Sequence, residues 1–294
     1  MHDYDATSRF VTTPAGRLHF HEVGDGPPLI LLHGSGPGVD GWTNFAGNLP
    51  AFAGSFRVLV LDLPGFGGSD PASGAPVDAA ITALGAFMDS RSISSADLLG
   101  NSMGGIVAAR FASLYPDRVR RLCSIGGVGG QSLFSPFPSE GLNLLVEFTE
   151  APSRDRLAAW MRSMVYDPAT VTEALIDERW RRAGRPEALS WARRLYSRAA
   201  IQAMNASPEA VVQPWAHLPL IKAPTLLTWG RDDRVAPLDR AILPMRLIPK
   251  CELHVFFDCR HWAMIERQAE FEDVVLAFFL RPWASPRRPP RTPS

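Results

Sequence analysis

Residues 100–104 read Gly100-Asn101-Ser102-Met103-Gly104 and match the pattern G-x-S-x-G. The motif follows an apolar run that predicts a strand and opens a segment that predicts a helix, which is the context of a nucleophile elbow. Glycines two positions on either side of the serine leave room for a sharp turn that a β-carbon would crowd. This placement favours a nucleophilic serine over the alternative, in which Ser102 only caps the helix.

The partners that such a serine needs follow in the expected chain order. A serine hydroxyl is a weak nucleophile, so it needs a base, and the base needs an orienting carboxylate. On this architecture the acid and then the histidine come after the serine. Asp233 follows one predicted strand and His261 follows the next. Asp233 is favoured over Asp232, which is more typical of a turn residue, and the alternative for His261 is a packed core histidine.

A glycine-rich loop at residues 33–38 is expected to complete the site. An oxyanion hole needs two backbone N–H donors that point at one oxygen. Met103, which follows the nucleophile, is expected to supply one donor. Ser35, in the glycine-rich loop, is expected to supply the other.

The same loop also fits a dinucleotide-binding fingerprint. Residues 36–41 match G-x-G-x-x-G, and Asp62 lies about 20 residues further on. Two features weaken this alternative: Pro37 removes a backbone donor, and Asp62 runs into a glycine-rich turn of its own. His19 and His21, two apart on a strand-like segment, could likewise suggest zinc, but no third ligand is evident.

The hydropathy pattern predicts an α/β fold with a mostly parallel central sheet flanked by helices. The predicted strands are residues 28–33, 56–61, 96–99, 118–125, 223–229 and 252–257, and the predicted helices are residues 78–89, 102–115 and 262–280.

One long segment interrupts the alternation of predicted strands and helices. Residues 131–213 contain no credible buried strand and are rich in helix formers, so they are interpreted as an inserted helical lid. The lid divides the core into residues 1–130 and 214–283. Residues 284–294 are rich in Pro, Arg and Ser and are predicted to be disordered.

Composition excludes several classes of protein. The chain has 294 residues, of which 46% are hydrophobic and 20% charged, as in a folded globular protein. Thirty basic residues balance thirty acidic ones, so there is no basic field for nucleic acid or anionic lipid. No apolar run approaches the roughly 18 residues that span a membrane, and no signal peptide is evident. We therefore expect a cytoplasmic protein that acts on a small molecule.

Taken together, these motifs resemble the α/β-hydrolase superfamily, and within it the meta-cleavage product hydrolases. Those serine-dependent enzymes cut a C–C bond in 2-hydroxy-6-oxo-hexa-2,4-dienoates formed by ring fission of aromatic compounds. The lid looks nearest to members that act on bulky products, polycyclic or steroid-derived ones included. The segments that carry the resemblance are residues 33–38 (HGSGPG), 41–44 (GWTN), 62–67 (DLPGFG), 100–105 (GNSMGG), 229–234 (WGRDDR) and 261–262 (HW).

The resemblance implies a set of substrate-binding residues. Gly34, Asn44 and Asn101 would hold the carboxylate and 2-oxygen end of the dienoate, and Trp262 would line the same pocket. Arg179 matches the arginine that binds that polar end in the family. A guanidinium suits this role because it can form two parallel hydrogen bonds to a planar carboxylate. The alternative for Arg179 is a solvated arginine on the lid.

The resemblance also implies a mechanism and leaves rivals to be tested. His261 would move a proton to ketonise the dienol, and Ser102, or water activated by His261, would attack the 6-oxo carbon. No metal or organic cofactor is required, and a homodimer is common in the family. In one departure from the pattern, Arg260 replaces the usual glycine before the histidine. The rivals are a general serine carboxylesterase on the same fold and a non-catalytic ligand-binding protein.

Overall fold

The computed structural model describes residues 2–129, 132–206 and 215–283. These residues form an eight-stranded sheet in the order β1-β2-β4-β3-β5-β6-β7-β8. β1 and β2 pair antiparallel, as do β2 and β4, and all later neighbours are parallel. The predicted α/β fold is confirmed. The strands are β1 (Ser8–Thr13), β2 (Gly16–Val23), β3 (Pro28–Leu32), β4 (Arg57–Leu61), β5 (Ala96–Asn101), β6 (Val119–Ile125), β7 (Thr225–Gly230) and β8 (Cys251–Phe256).

The strands alternate their side chains between two hydrophobic cores. On β3, Ile30 and Leu32 pack in the core on one face, whereas Leu29 and Leu31 pack in the core on the other. A strand covered on both faces reads as a continuous apolar run. This is why the six predicted strands begin and end within two residues of observed ones. β1, which lies at the sheet edge with several exposed residues, was not predicted.

Helices cover both faces, and the structure differs from the prediction in having four further core helices (Tyr4–Thr7, Gly41–Phe45, Leu49–Ala53 and Asp239–Leu247) and a break in the last predicted helix. The predicted helix over 262–280 is two helices, because the chain bends at Arg267 (φ −120°, ψ 40°), whose guanidinium donates to the Phe257 carbonyl at 3.1 Å. No glycine or proline marks this break. The helices are α1 (Tyr4–Thr7), α2 (Gly41–Phe45), α3 (Leu49–Ala53), α4 (Pro76–Ser90), α5 (Met103–Leu114), α6 (Glu140–Glu150), α7 (Arg154–Ser163), α8 (Glu173–Ala183), α9 (Pro186–Tyr196), α10 (Arg198–Ala206), α11 (Asp239–Leu247), α12 (Ala263–Glu266) and α13 (Gln268–Leu280).

The segment between β6 and β7 lies over the carboxyl ends of the strands. Its described residues form α6 to α10 and contain no strand. The lid boundaries predicted at 131 and 213, and the tail 284–294, lie outside the described residues. Across those that are described, no helix is long and apolar enough to cross a membrane.

Candidate active site

Ser102 lies on a sharp turn between β5 and α5. Its φ of 52° and ψ of −113° are unusual for a residue with a β-carbon, and its N–H donates to the Ile125 carbonyl at 2.7 Å. The flanking glycines are required by close approach. A Cβ at Gly104 would lie 2.1 Å from the Leu32 carbonyl oxygen, and one at Gly100 would lie 2.3 Å from the Gly104 carbonyl oxygen. The motif therefore keeps β5, α5 and β3 in contact beneath the serine.

His261 and Asp233 form a buried pair. His261, 1% exposed, follows β8, and its Nδ1 lies 2.6 Å from Asp233 Oδ2. Asp233 follows β7, and its Oδ1 accepts hydrogen bonds from the N–H groups of Val235 (2.8 Å) and Ala236 (2.9 Å). Each carboxylate oxygen therefore has its own partners. This arrangement orients the imidazole and leaves Nε2 as its other nitrogen for proton transfer.

Two neighbouring residues face away from this pair. Asp232 binds Arg231 at 3.0 Å near the surface, so the structure brings Asp233 rather than Asp232 to the histidine. The guanidinium of Arg260 donates to the Arg162 carbonyl of α7 at 3.3 Å. It is engaged with the lid in this position, where the family pattern has glycine.

Most of the predicted site residues meet at one cavity beneath the lid, of about 200 Å³ and lined mainly by apolar side chains. Asp233 lies behind His261, outside the cavity wall. The predicted residues that line the cavity are Gly34, Ser35, Asn44, Asn101, Ser102, Met103, Arg179, His261 and Trp262.

The two N–H groups expected to form the oxyanion hole have no acceptor in the described residues, whereas the N–H of the adjacent Gly34 is hydrogen-bonded. The N–H of Gly34 is occupied by Asn44 Oδ1 at 2.9 Å. Within the described residues, the N–H groups of Ser35 and Met103 donate to no acceptor. Both residues line the cavity that contains Ser102, so both donors suit an oxygen of a bound substrate.

Arg179 is a buried cation from the lid. The residue is 5% exposed, and its guanidinium lies 5.8 Å from the ring centroid of Trp262. Burial lowers the pKa of Arg179 to about 10, which still leaves the side chain charged at neutral pH. Its guanidinium has no carboxylate or carbonyl acceptor among the described residues. A buried guanidinium that donates to no carboxylate or carbonyl of the described residues favours binding of an anion.

Sequence reasoning missed four residues around the cavity. Tyr196, at the end of α9, places its hydroxyl within hydrogen-bond distance of Ser35 Oγ, and Arg240 on α11 also lines the wall. Gly126 makes room for the imidazole, since a Cβ there would lie 3.0 Å from His261 Nδ1. The Met164 carbonyl accepts the His261 N–H at 3.0 Å. Of these four, only Gly126 is marked in the sequence, because it begins a pair of glycines directly after β6.

The residues that suggested other functions serve the fold. Asp62 accepts from the N–H groups of Gly41 (2.7 Å) and Gly68 (2.9 Å), and it lies 2.7 Å from His19 Nδ1. His21 Nδ1 lies 2.9 Å from the Thr7 hydroxyl. These contacts use Asp62 to join loops rather than to hold a ribose, and no group of three or more potential metal ligands occurs in the described ranges.

The comparison with known families agrees with this architecture. The family description "alpha/beta hydrolase fold" matches residues 27–268, which include Ser102, Asp233 and His261. The chain belongs to the alpha/beta hydrolase family. The remaining comparisons place it near one group of these enzymes.

Relatives of similar length are named for one type of reaction. The chain is 38% identical over 290 residues to the 2-hydroxy-6-oxononadienedioate/2-hydroxy-6-oxononatrienedioate hydrolase of Burkholderia vietnamiensis, covering 96% of this chain and 98% of that protein. The protein of that name in Escherichia coli is 38% identical over 286 residues, with 94% and 97% covered.

Solved structures point to the same group. A meta-cleavage product hydrolase from Pseudomonas fluorescens has a TM-score of 0.82 and 29% identity, covering 92% of this chain and 97% of that one. The 2-hydroxy-6-oxo-6-phenylhexa-2,4-dienoate hydrolase from Rhodococcus has a TM-score of 0.81 and 28% identity, covering 94% and 100%. The resemblance to meta-cleavage product hydrolases is confirmed.

Proposed function

We propose that this hydrolase cleaves the C–C bond beside the 6-oxo group of a 2-hydroxy-6-oxo-2,4-dienoate, with Ser102, His261 and Asp233 as its catalytic triad. The observation that carries the proposal is one cavity that contains Ser102, the His261 imidazole and the buried guanidinium of Arg179. A nucleophile, a base and a cation in a mainly apolar cavity suit a substrate with a reactive carbonyl and a separate carboxylate. The relatives named for such dienoates support the assignment.

The first step makes the leaving carbon a stable anion. His261 moves the proton of the 2-hydroxyl to C5, which converts the dienol into a 2,6-dioxo form with a C3–C4 double bond. Arg179 holds the carboxylate next to the 2-oxygen, and the amides of Asn44 and Asn101 lie at the same cavity. These groups stabilise negative charge as it develops on the 2-oxygen.

The second step breaks the bond. Ser102, or water activated by His261, attacks C6, and the N–H groups of Ser35 and Met103 hold the oxyanion. The C5–C6 bond breaks, and its electron pair moves through the enone to the 2-oxygen. Water supplies the hydroxyl of the acid that leaves with C6 and the proton of the other product, 2-hydroxypenta-2,4-dienoate.

The cavity favours a short group on C6. Its volume of about 200 Å³ is smaller than the roughly 300–1,000 Å³ of pockets that hold drug-sized ligands. The Burkholderia and Escherichia relatives are named for a nine-carbon dioate, whose C6 substituent is a short chain with a carboxylate. We therefore favour a short chain over the polycyclic or steroid-derived groups that the sequence suggested.

The test is hydrolysis of 2-hydroxy-6-oxonona-2,4-dienedioate by the purified protein. Loss of the dienoate absorbance with formation of 2-hydroxypenta-2,4-dienoate and succinate is expected. Ser102→Ala should remove the activity, whereas Ser113→Ala, on the helix that follows Ser102 and outside the cavity, should retain it. Hydrolysis of aryl esters alone would instead support the carboxylesterase, and inertness to both substrate panels would support a non-catalytic binding protein.

The cytoplasmic location, the homodimer and the lid as a separate unit at 131–213 also enter as proposals. Cell fractionation tests the first, and sedimentation of the purified protein tests the second. Limited proteolysis tests the third, because cleavage at the lid boundaries should leave the core segments associated.

A further inference from the structure

The candidate cavity has a second arginine in its wall. Arg240 lies in the first turn of α11, which belongs to the core rather than to the lid. It lines the same cavity as Ser102. None of the roles in the proposed reaction uses this residue. Its guanidinium is a second cation at a cavity that is lined mainly by apolar side chains.

The two arginines occupy different electrostatic surroundings. The charges that act on Arg179 are Asp40, Arg182 and Glu178. Those that act on Arg240 are Asp233, Asp239 and Tyr196. The two sets share no member, and the two arginines reach the cavity from different elements, Arg179 from α8 and Arg240 from α11.

The surroundings of Arg240 suit a polar group at the end of an apolar chain. The Tyr196 hydroxyl, near enough for Arg240 to lower its pKa against the raising effect of burial, also meets Ser35 Oγ. Hydrophobic side chains make up much of the remaining lining of the cavity. They include Val77, Ile106, Phe137, Leu142, Leu195 and Ile201.

We propose that Arg240 determines specificity by binding a carboxylate at the far end of the C6 substituent, with the Tyr196 hydroxyl as a second donor. The inference rests on the proposed function, in which Arg179 takes the carboxylate of the dienoate. A substrate with two carboxylates is then held at both ends, with its 6-oxo carbon between them at Ser102. A guanidinium offers a bidentate, charge-assisted pair to a planar carboxylate.

The test compares two substrates that differ only in this group. One is 2-hydroxy-6-oxonona-2,4-dienedioate, and the other is 2-hydroxy-6-oxonona-2,4-dienoate, in which a propyl chain replaces the propionate. The wild-type protein should prefer the dioate in kcat/KM. Arg240→Met should lower that preference about tenfold to a hundredfold, mainly through KM, because the lost contact is made equally in ground state and transition state.

Three further variants complete the design. Arg240→Lys should restore part of the preference, and Arg240→Gln should lose it as the Met variant does, which covers failure of the Met variant to fold. Arg246→Gln, at an exposed arginine of the same helix, should leave both substrates unchanged. Activity on the propyl substrate reports folding, since a merely structural role would lower both activities together.

The outcomes separate the two proposals. An unchanged preference in the Arg240 variants, an equal loss on both substrates, or a wild-type protein that favours the propyl compound would overturn the specificity role while the hydrolase assignment stands. Failure of the wild-type protein to cleave either compound would overturn the hydrolase assignment, and the role of Arg240 with it.

Discussion

Replacing Asp233 by asparagine changes which nitrogen of His261 carries the proton. Oδ1 of Asp233 accepts from two backbone N–H groups, at 2.8 and 2.9 Å, so the amide oxygen of an asparagine must take that position. Its NH₂ group then faces His261 Nδ1, which lies 2.6 Å from Oδ2 in the parent. Because NH₂ only donates, Nδ1 must accept, and the proton moves to Nε2. That nitrogen can no longer take a proton from Ser102.

The expected loss of kcat follows from this blocked transfer. The same exchange in the Ser-His-Asp triad of serine proteases lowers kcat about 10⁴-fold through the wrong tautomer. Since each tenfold is about 1.4 kcal/mol, the barrier should rise by about 5.5 kcal/mol. Stopped-flow absorbance with the nine-carbon dioate measures kcat, and single turnovers separate ketonisation from bond cleavage. Both steps should slow, because both use His261 as the proton carrier.

Asp232→Asn is the matched control for this experiment. Asp232 is the adjacent aspartate, it binds Arg231 near the surface, and it does not reach the imidazole. Its replacement should change kcat less than about twofold. An Asp233→Asn protein that folds and keeps a tenth of its activity would refute the role of the pair, as would an equal loss in the two variants.

Three other perturbations follow from single contacts. Arg179→Met should lower kcat/KM for the dienoate about a hundredfold because a buried charge partner is lost, whereas Arg181→Met, exposed on the same helix, should have little effect; equal effects would contradict carboxylate binding. Gly104→Ala should lower the free energy of unfolding by about 3 kcal/mol or more in a denaturant titration, since its Cβ would lie 2.1 Å from a carbonyl oxygen. Gly54→Ala is the control, because a Cβ at Gly54 would meet open space. Burial lowers the pKa of His21 from 6.5 to about 4. Between these values the unfolded chain binds more protons than the folded one, so the free energy of unfolding should fall as the pH drops from 6.5 towards 4. His21→Gln should flatten the dependence of melting temperature on pH, and an unchanged slope would exclude His21 as its source.

The parts of the fold that were predictable are those that short stretches of sequence determine. β3 and β5 are buried on both faces, so their apolar runs stand out from the loops around them. The elbow is equally local, because five consecutive residues carry its motif and a Cβ at either flanking glycine would lie 2.1–2.3 Å from a backbone oxygen. Asp233 and His261 were found because chain order is a property of the fold, and each comes directly after a strand.

The parts that were missed depend on contacts between distant segments. The bend at Arg267 has no local signal and is accompanied by a side-chain contact to Phe257, outside either helix. Tyr196 and Arg240 come from the lid and from α11, and only the packing of these distant elements brings both to the cavity that Ser35 also lines. Periodicity gives the face of a helix, but it does not give which cavity that face meets.

The lid contributes chemistry as well as cover. Its Met164 carbonyl fixes the backbone of His261, its Tyr196 hydroxyl meets Ser35 in the loop of the expected oxyanion hole, and its Arg179 supplies the buried cation. Because these three contacts reach the base, the oxyanion loop and the anion site from one inserted segment, displacement of the lid breaks all three together. In the proposed reaction, a substrate whose carboxylate binds Arg179 is therefore expected to stabilise this arrangement of the lid over Ser102. We therefore expect recognition of the acid and attack on the carbonyl to be coupled through the lid, so that a neutral analogue should lose both binding and rate.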